Sequence, residues 1–247
     1  MIEDAPVKEL ERLLAKVDIL GPLPPEEVER LALRSTAVRL EAGEAFALEE
    51  DRETLHLLTS GRVRVHELNV TGPDLTISLV EEGTVVRQTG FAVPLSRVWH
   101  VEALRPSTLL VLGWEDFEDL VFRNPEVGVK TIRLLGERLS ICEGRLSGLV
   151  HKEVLARLAT LVFGLSEHQG VVTGEGYRVI PTRYTHQQLA SMVGSNREAV
   201  TRAFRRLREA GAVEIKGRQI YVTDADALVR LANAERRADW RSAVTRR

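Results

Sequence analysis

The sequence predicts an α+β chain in three parts: a glycine-punctuated antiparallel β-roll, one long helix, and a helix-turn-helix with a β-hairpin wing. Three observations carry that expectation. Short runs alternating at period two and broken by glycine occupy residues 20–112. Apolar residues recur at heptad spacing between Ile132 and Leu149. In the C-terminal third, a glycine separates two short amphipathic segments in "YTHQQLASMVGSNREAVTRAFRRLREAG".

The first segment, "MIEDAPVKELERLLAKVDIL", mixes charges into an amphipathic helical pattern, so no secretory signal is expected. Apolar stretches such as "LATLVFGL" fall short of the roughly 20 residues that cross a bilayer. The strand-like runs follow: "AVRLEAGEAFAL", "ETLHLLTSGRVRVHEL", "LTISLVEEGTVV" and "VWHVEALRPSTLLVLG". Gly43, Gly61, Gly72 and Gly83 are expected at turns between runs, which gives an antiparallel sandwich or jelly roll. After Trp114 the texture turns helical, and Asn124-Pro125 breaks one helix and starts the next.

That next helix, expected from about Asn124 to Val150, carries Ile132, Leu135, Leu139, Cys142, Leu146 and Leu149 at spacings of 3, 4, 3, 4 and 3. Leu134 and Ile141 form a second apolar line. Either the helix lies on its own β domain by one face, or the second line does so and leaves the first for a twofold mate. The expected divisions are residues 1–115, 116–152 with a hinge near Leu149 to Glu153, 153–230, and a basic extension over 231–247.

Thr185 is placed to cap the first of the two short helices and Ser195 the second, which should run from about Asn196 to Ala210 and stop at Gly211. Leu189, Ala190, Val193, Val200, Phe204 and Leu207 supply the contact across the turn. Val213 and Ile215 against Ile220 and Val222 make the wing, tipped by Lys216 and Arg218. With the apolar positions turned inward, Arg197, Glu198 and Arg202 face outward at the N-terminal end of the second helix. In a helix-turn-helix that end enters the major groove, where arginine can donate to guanine and glutamate accept from cytosine. Thr185, His186, Gln187, Ser195, Thr201, Lys216 and Arg218 are expected on backbone phosphates. Arg205, Arg206 and Arg208 fit a solvated face as well as a phosphate one.

Charge distribution agrees. The 247 residues carry a net charge of −2, but from His151 onward there are 17 Lys and Arg against 10 Asp and Glu, leaving the C-terminal part at +7. The chain is 44% hydrophobic, enough for one large or two modest cores. A single cysteine excludes an internal disulfide, a four-cysteine zinc site or a self-contained iron–sulfur cluster, and fits a reducing cytoplasm.

The glycine-punctuated roll, long helix and winged helix containing "VGSNREAVTRAFRRLREAG" resemble the Crp/Fnr family of bacterial transcription regulators, over roughly residues 20–223. The resemblance implies a jelly-roll (cupin-like) effector domain and a homodimer joined through the central helix. It also implies a palindromic double-stranded DNA site with TGTGA-like half-sites, read by Arg197, Glu198 and Arg202, and recruitment of RNA polymerase by the bound dimer.

Cyclic-nucleotide-binding members of that family carry a Gly-Glu pair followed by Arg-Ser. Here Arg87-Gln88 stand in the first place and Arg97-Val98 in the second, so only Arg97 is retained. Losing the ribose acceptor and the serine hydroxyl leaves ligand oxygens unpaired, at a cost of about 1–3 kcal/mol each, so cyclic AMP is not expected to bind. "RVWHVEALRPSTLLVL" is similar to the nitrogen-control regulators of the family, which sense 2-oxoglutarate. Arg87 and Arg97 either clamp a dicarboxylate or pair with acidic residues of the roll. His56, His66 and His100 are scattered on strands and are not expected to hold haem. No cofactor or metal is assigned. The basic tail, with Arg236, Arg237, Arg241, Arg246 and Arg247, fits either a docked helix or contacts to flanking phosphates. The roll shows no metal-ligand set, phosphate loop or activated nucleophile of an enzyme. A scaffold using the wing for protein contacts would not need Arg197, Glu198 and Arg202 together.

Overall fold

The structure, a computed structural model, describes residues 2–3, 5–48, 53–68, 74–88, 99–174 and 176–233. It divides into two compact units, Met1–Val70 with Thr76–Leu139, and Thr71–Leu75 with Ser140–Arg247. The division falls inside a continuous helix.

The first unit opens with β1 (Ile2–Glu3), α1 (Val7–Leu14), a 3-10 turn at Asp18–Leu20 and α2 (Pro25–Ala32). Pro25 at the first helical position and Glu26 and Glu27 in the first turn suit an N-terminus, where N–H groups lack partners and the dipole is positive. Then come β2 (Thr36–Leu40), β3 (Ala45–Leu48), β4 (Thr54–Glu67), β5 (Leu75–Glu81), β6 (Thr84–Gln88) and β7 (Trp99–Gly113). The order is β1-β2-β7-β4-β5, with β3 on β7 and β6 on β4, and β1-β2, β2-β7, β3-β7, β4-β7 and β4-β6 pair antiparallel.

Strands β4 and β7 pair along nearly their whole length, and the ladder breaks register between Leu58 and Val63. There the expected turn at Gly61 is replaced by a bulge inside β4. Gly61 has φ 98° and lies so close to β7 that a Cβ would fall 2.6 Å from the Pro106 carbonyl oxygen. Glycine's freedom serves a bulge and a turn equally, so the sequence cannot separate them. Gly43 and Gly83 do occupy positive-φ turns; Gly72 lies outside the described residues.

Leu58, Val63, Val65, Val80, Val101, Ala103 and Leu109 fill the roll between its layers. A second cluster joins α1 and α2 to β2, β4 and β7 and to the helices that follow, α3 (Trp114–Arg123) and α4 (Pro125–His151). Leu134 of α4 packs against that cluster, and Arg138 donates to the β6 carbonyls of Val85 and Val86. Ile141, expected beside Leu134, is instead exposed. By that point along α4 the chain has entered the second unit.

The second unit continues with α5 (Val154–Gln169), β8 (Val171–Val172), β9 (Arg178–Ile180), α6 (His186–Val193), α7 (Arg197–Glu209), β10 (Val213–Lys216), β11 (Gln219–Val222) and α8 (Ala225–Asn233). The apolar α5 packs against α6, α7 and α8. Its Leu155, Leu158, Ala159 and Val162 are buried, as are Leu189, Val200, Phe204, Leu207 and Leu228. The expected hairpin is half of a four-stranded sheet, β10-β11-β9-β8. The tail arginines from Arg236 onward lie outside the described residues.

Candidate nucleic-acid interface

Helix α6 begins with a reciprocal cap. The Thr185 hydroxyl accepts from the Gln188 N–H at 3.1 Å, and the Gln188 side-chain oxygen accepts from the Thr185 N–H at 3.0 Å. The helix ends at Gly194, left-handed at φ 61°, and the Ser195 N–H returns to the Ala190 carbonyl at 2.9 Å. The cap of α7 is Asn196, not Ser195: its side-chain oxygen accepts from the Ala199 N–H at 2.8 Å. Both residue types cap well, and the extra residue consumed by the turn at Gly194 decides between them.

Val200, Ala203, Phe204 and Leu207 bury one face of α7, while Arg197, Glu198, Thr201, Arg202 and Arg205 are exposed on the other. Glu198 and Arg202 stand four residues apart, acid before base, and Glu198 lies in the first turn, where the helix dipole favours it. Arg205 pairs with Glu209 at 2.7 Å, which commits it to its own helix. Arg206 and Arg208 are exposed in the last turns.

His186 is bound into this surface. Its Nδ1 lies 2.8 Å from the Thr201 hydroxyl, and its ring stacks on Phe204 at 5.4 Å. Because Thr201 donates its only hydroxyl proton to the Arg197 carbonyl at 2.8 Å, Nδ1 must be the donor in the first contact. Nε2 is then a bare acceptor in the neutral ring. Burial, and secondarily the Arg197 guanidinium, hold this histidine below its ordinary pKa. Thr185 and Gln187 are exposed on the same end of α6, and Ser195 is half-buried in the turn.

In the wing, Val213 pairs with Val222, Ile215 with Ile220, and Lys216 with Gln219. The turn residues are therefore Gly217 and Arg218, both left-handed, at φ 58° and 68°. Arg218 is fully outward at the tip. Lys216 pairs with Glu214 at 2.8 Å and lies 5.5 Å from the Tyr221 ring centre.

Along α4, Ile132, Leu135, Leu139 and Leu146 are between 56% and 70% exposed, Leu149 is 45% exposed, and Cys142 is exposed between them. The apolar seam expected from the heptad spacing is thus exposed in the single chain. Of the effector candidates, Arg87 and Gln88 end strand β6, while Arg97 and Val98 lie outside the described residues. His66 and His100 face one another across β4 and β7, rings 5.7 Å apart, with His66 Nε2 3.7 Å from Glu102; His56 is buried elsewhere on β4. Among the described residues no group of three His, Cys, Asp or Glu side chains could hold a metal ion, and no helix is long and apolar enough to cross a membrane. Sequence reasoning missed Arg157, whose only mark is that it is a lone cation inside the apolar run of α5.

Residues 37–124 match the cyclic nucleotide-binding domain and residues 156–231 the Crp-like helix-turn-helix domain. The global nitrogen regulator of Nostoc sp. is 28% identical over 172 residues, 69% of this chain and 77% of that protein. The cyclic AMP receptor protein of Thermus thermophilus is 29% identical over 85% of this chain and 94% of its own length. Among solved structures, a mutant of CooA from Carboxydothermus hydrogenoformans superposes with a TM-score of 0.71 at 19% identity, covering 94% of this chain and 98% of the other. FixK2 from Bradyrhizobium japonicum gives 0.66 at 20% identity, covering 80% of this chain and 96% of the other. These two likenesses establish the fold.

Proposed function

The chain belongs to the Crp/Fnr family of DNA-binding transcription regulators, and from that premise we propose that it binds a palindromic, TGTGA-like site as a homodimer. In this reading it acts in the cytoplasm, recruits RNA polymerase as an activator, and does so without cyclic AMP. The observation that carries the proposal is the composition of the free face of α7: Arg197, Glu198 and Arg202 are exposed together at the end that a helix-turn-helix inserts into the major groove. Arginine offers paired donors to guanine O6 and N7, and glutamate accepts from cytosine N4. Thr185, His186, Gln187, Ser195, Thr201, Lys216 and Arg218 then meet phosphates and fix register. Two copies joined along the exposed α4 seam would carry two such helices to half-sites roughly 34 Å apart.

A second reading is that a small molecule gates the protein from the roll. It is favoured by the similarity to the global nitrogen regulators of Nostoc and Synechocystis, and by Arg87 in place of the cassette glycine. Arg87 and Arg97 would then face a dicarboxylate such as 2-oxoglutarate. Fluorescence anisotropy on a TGTGA-type palindrome tests both readings, with the purified protein alone, with cyclic AMP, and with 2-oxoglutarate. Tight, sequence-dependent binding without additive is the expected result. Binding that appears only with 2-oxoglutarate would select the gated reading, and binding indifferent to sequence would reject both.

A further inference from the structure

We propose that Arg157 is a positioning residue that clamps the turn leading into the recognition helix to the end of α4, and so sets the half-site spacing the protein accepts. Its guanidinium donates to three main-chain carbonyls: Nη1 to Lys152 at 2.6 Å, Nε to Val193 at 2.8 Å, and Nη2 to Gly194 at 3.4 Å. Lys152 follows the last residue of α4, and Val193 and Gly194 end α6. Both are helix C-termini, where carbonyls without partners concentrate negative charge. A planar fork with five donors holds two such ends in one fixed geometry, whereas an ammonium on a flexible stem offers three rotatable donors and fixes neither end's direction.

A second contact fixes the same junction. A Cβ on Gly194 would sit 2.8 Å from Leu149 Cδ2, so the last full turn of α4 lies directly against the turn that precedes α7. Only Ser195 and Asn196 separate Gly194 from Arg197. Movement at this junction therefore carries Arg197, Glu198 and Arg202 as one body. The inference rests on the dimeric DNA-binding reading above: two recognition helices can engage two half-sites together only if each is held at a fixed angle to its own α4. A loose junction forfeits simultaneous engagement while leaving each half-site contact intact.

The test uses the full chain with Arg157→Lys and Arg157→Gln, titrated against duplexes carrying one half-site, or two half-sites whose separation is stepped by single base pairs. For both variants, affinity for a single half-site should stay within about twofold of wild type, while the best palindrome weakens about tenfold and the spacing optimum flattens. An unchanged spacing profile overturns the proposal. So do equal losses on single and double sites, or variants that fail to give a cooperative melt, since Arg157 would then only stabilise the domain. Wild-type protein that binds two half-sites no better than one overturns the dimeric reading itself, and the clamp with it.

Discussion

Helices α4 and α7 share a plan: α4 docks Val127 and Leu134 on the first unit, α7 docks Val200, Phe204 and Leu207 in the second, and each leaves another face to solvent. They differ in what the free face is made of. On α4 it is Ile132, Leu135, Leu139, Leu146 and Leu149, apolar groups that gain nothing from water. On α7 it is Arg197, Glu198, Arg202 and Arg205, charged groups for which water is a good solvent. An apolar stripe is satisfied only by another apolar surface, and the heptad spacing suits a second helix of the same kind. A cationic face with one acid four residues before a base is satisfied by an anion that also offers donors and acceptors to read. In the proposed reading one plan would serve two partners, and the chemistry of the exposed face would tell them apart.

Four substitutions test that contrast. Leu139→Asp should have the largest effect, costing about 3 kcal/mol or more of association by placing an unpaired charge in the seam. Leu139 is 61% exposed in the single chain, so the monomer should still melt as a folded protein. Sedimentation velocity reads both results, and a dimer that survives removes the apolar half of the comparison. Arg197→Ala should cost roughly 1–3 kcal/mol on a specific duplex and relax preference at one symmetric base pair. Equal loss on random DNA would make Arg197 a phosphate contact.

Asn196→Ala should lower unfolding free energy by about 1 kcal/mol through loss of the α7 cap, whereas Ser195→Ala should stay within about 0.5 kcal/mol of wild type. Urea melts of the two variants check the assignment. The smallest effect concerns His186. Its Nε2 can donate to a phosphate only after the ring takes up a proton, and in free protein the depressed pKa keeps it neutral near neutrality. DNA binding should therefore be accompanied by proton uptake, and affinity should rise as pH falls from about 7.5 to 6. His186→Gln should flatten that slope; a slope that persists in the variant places the titrating group elsewhere.

Much of this arrangement was legible in the residues, for identifiable reasons. Thr185 as the cap of α6, and the register of Val213 and Ile215 against Ile220 and Val222, are patterns whose geometry is local. The seam on α4 was legible because heptad spacing is a property of one helix, although the side that meets the roll was not: Leu134 docks and Ile141 does not. Where two local solutions were equally good, the structure takes the one not expected: Asn196 fills the cap expected of Ser195, and β4 bulges at Gly61 where a turn was expected. The clamp at Arg157 was out of reach. Its partners are backbone carbonyls, one of them five residues back and two in the turn 36 and 37 residues on, and every residue type carries one.

The wing tip holds one more consequence. Arg218 occupies a left-handed conformation that glycine or asparagine adopts with less strain, and a long side chain there costs on the order of 1 kcal/mol. The hairpin would be more robust with asparagine at 218, and poorer by one cation at its outermost point. Robustness and grip thus pull in opposite directions at a single residue. Variants selected for heat tolerance alone would be drawn toward replacing Arg218 and, if it meets a phosphate as proposed, would shed part of a salt-sensitive hold on DNA as they did so.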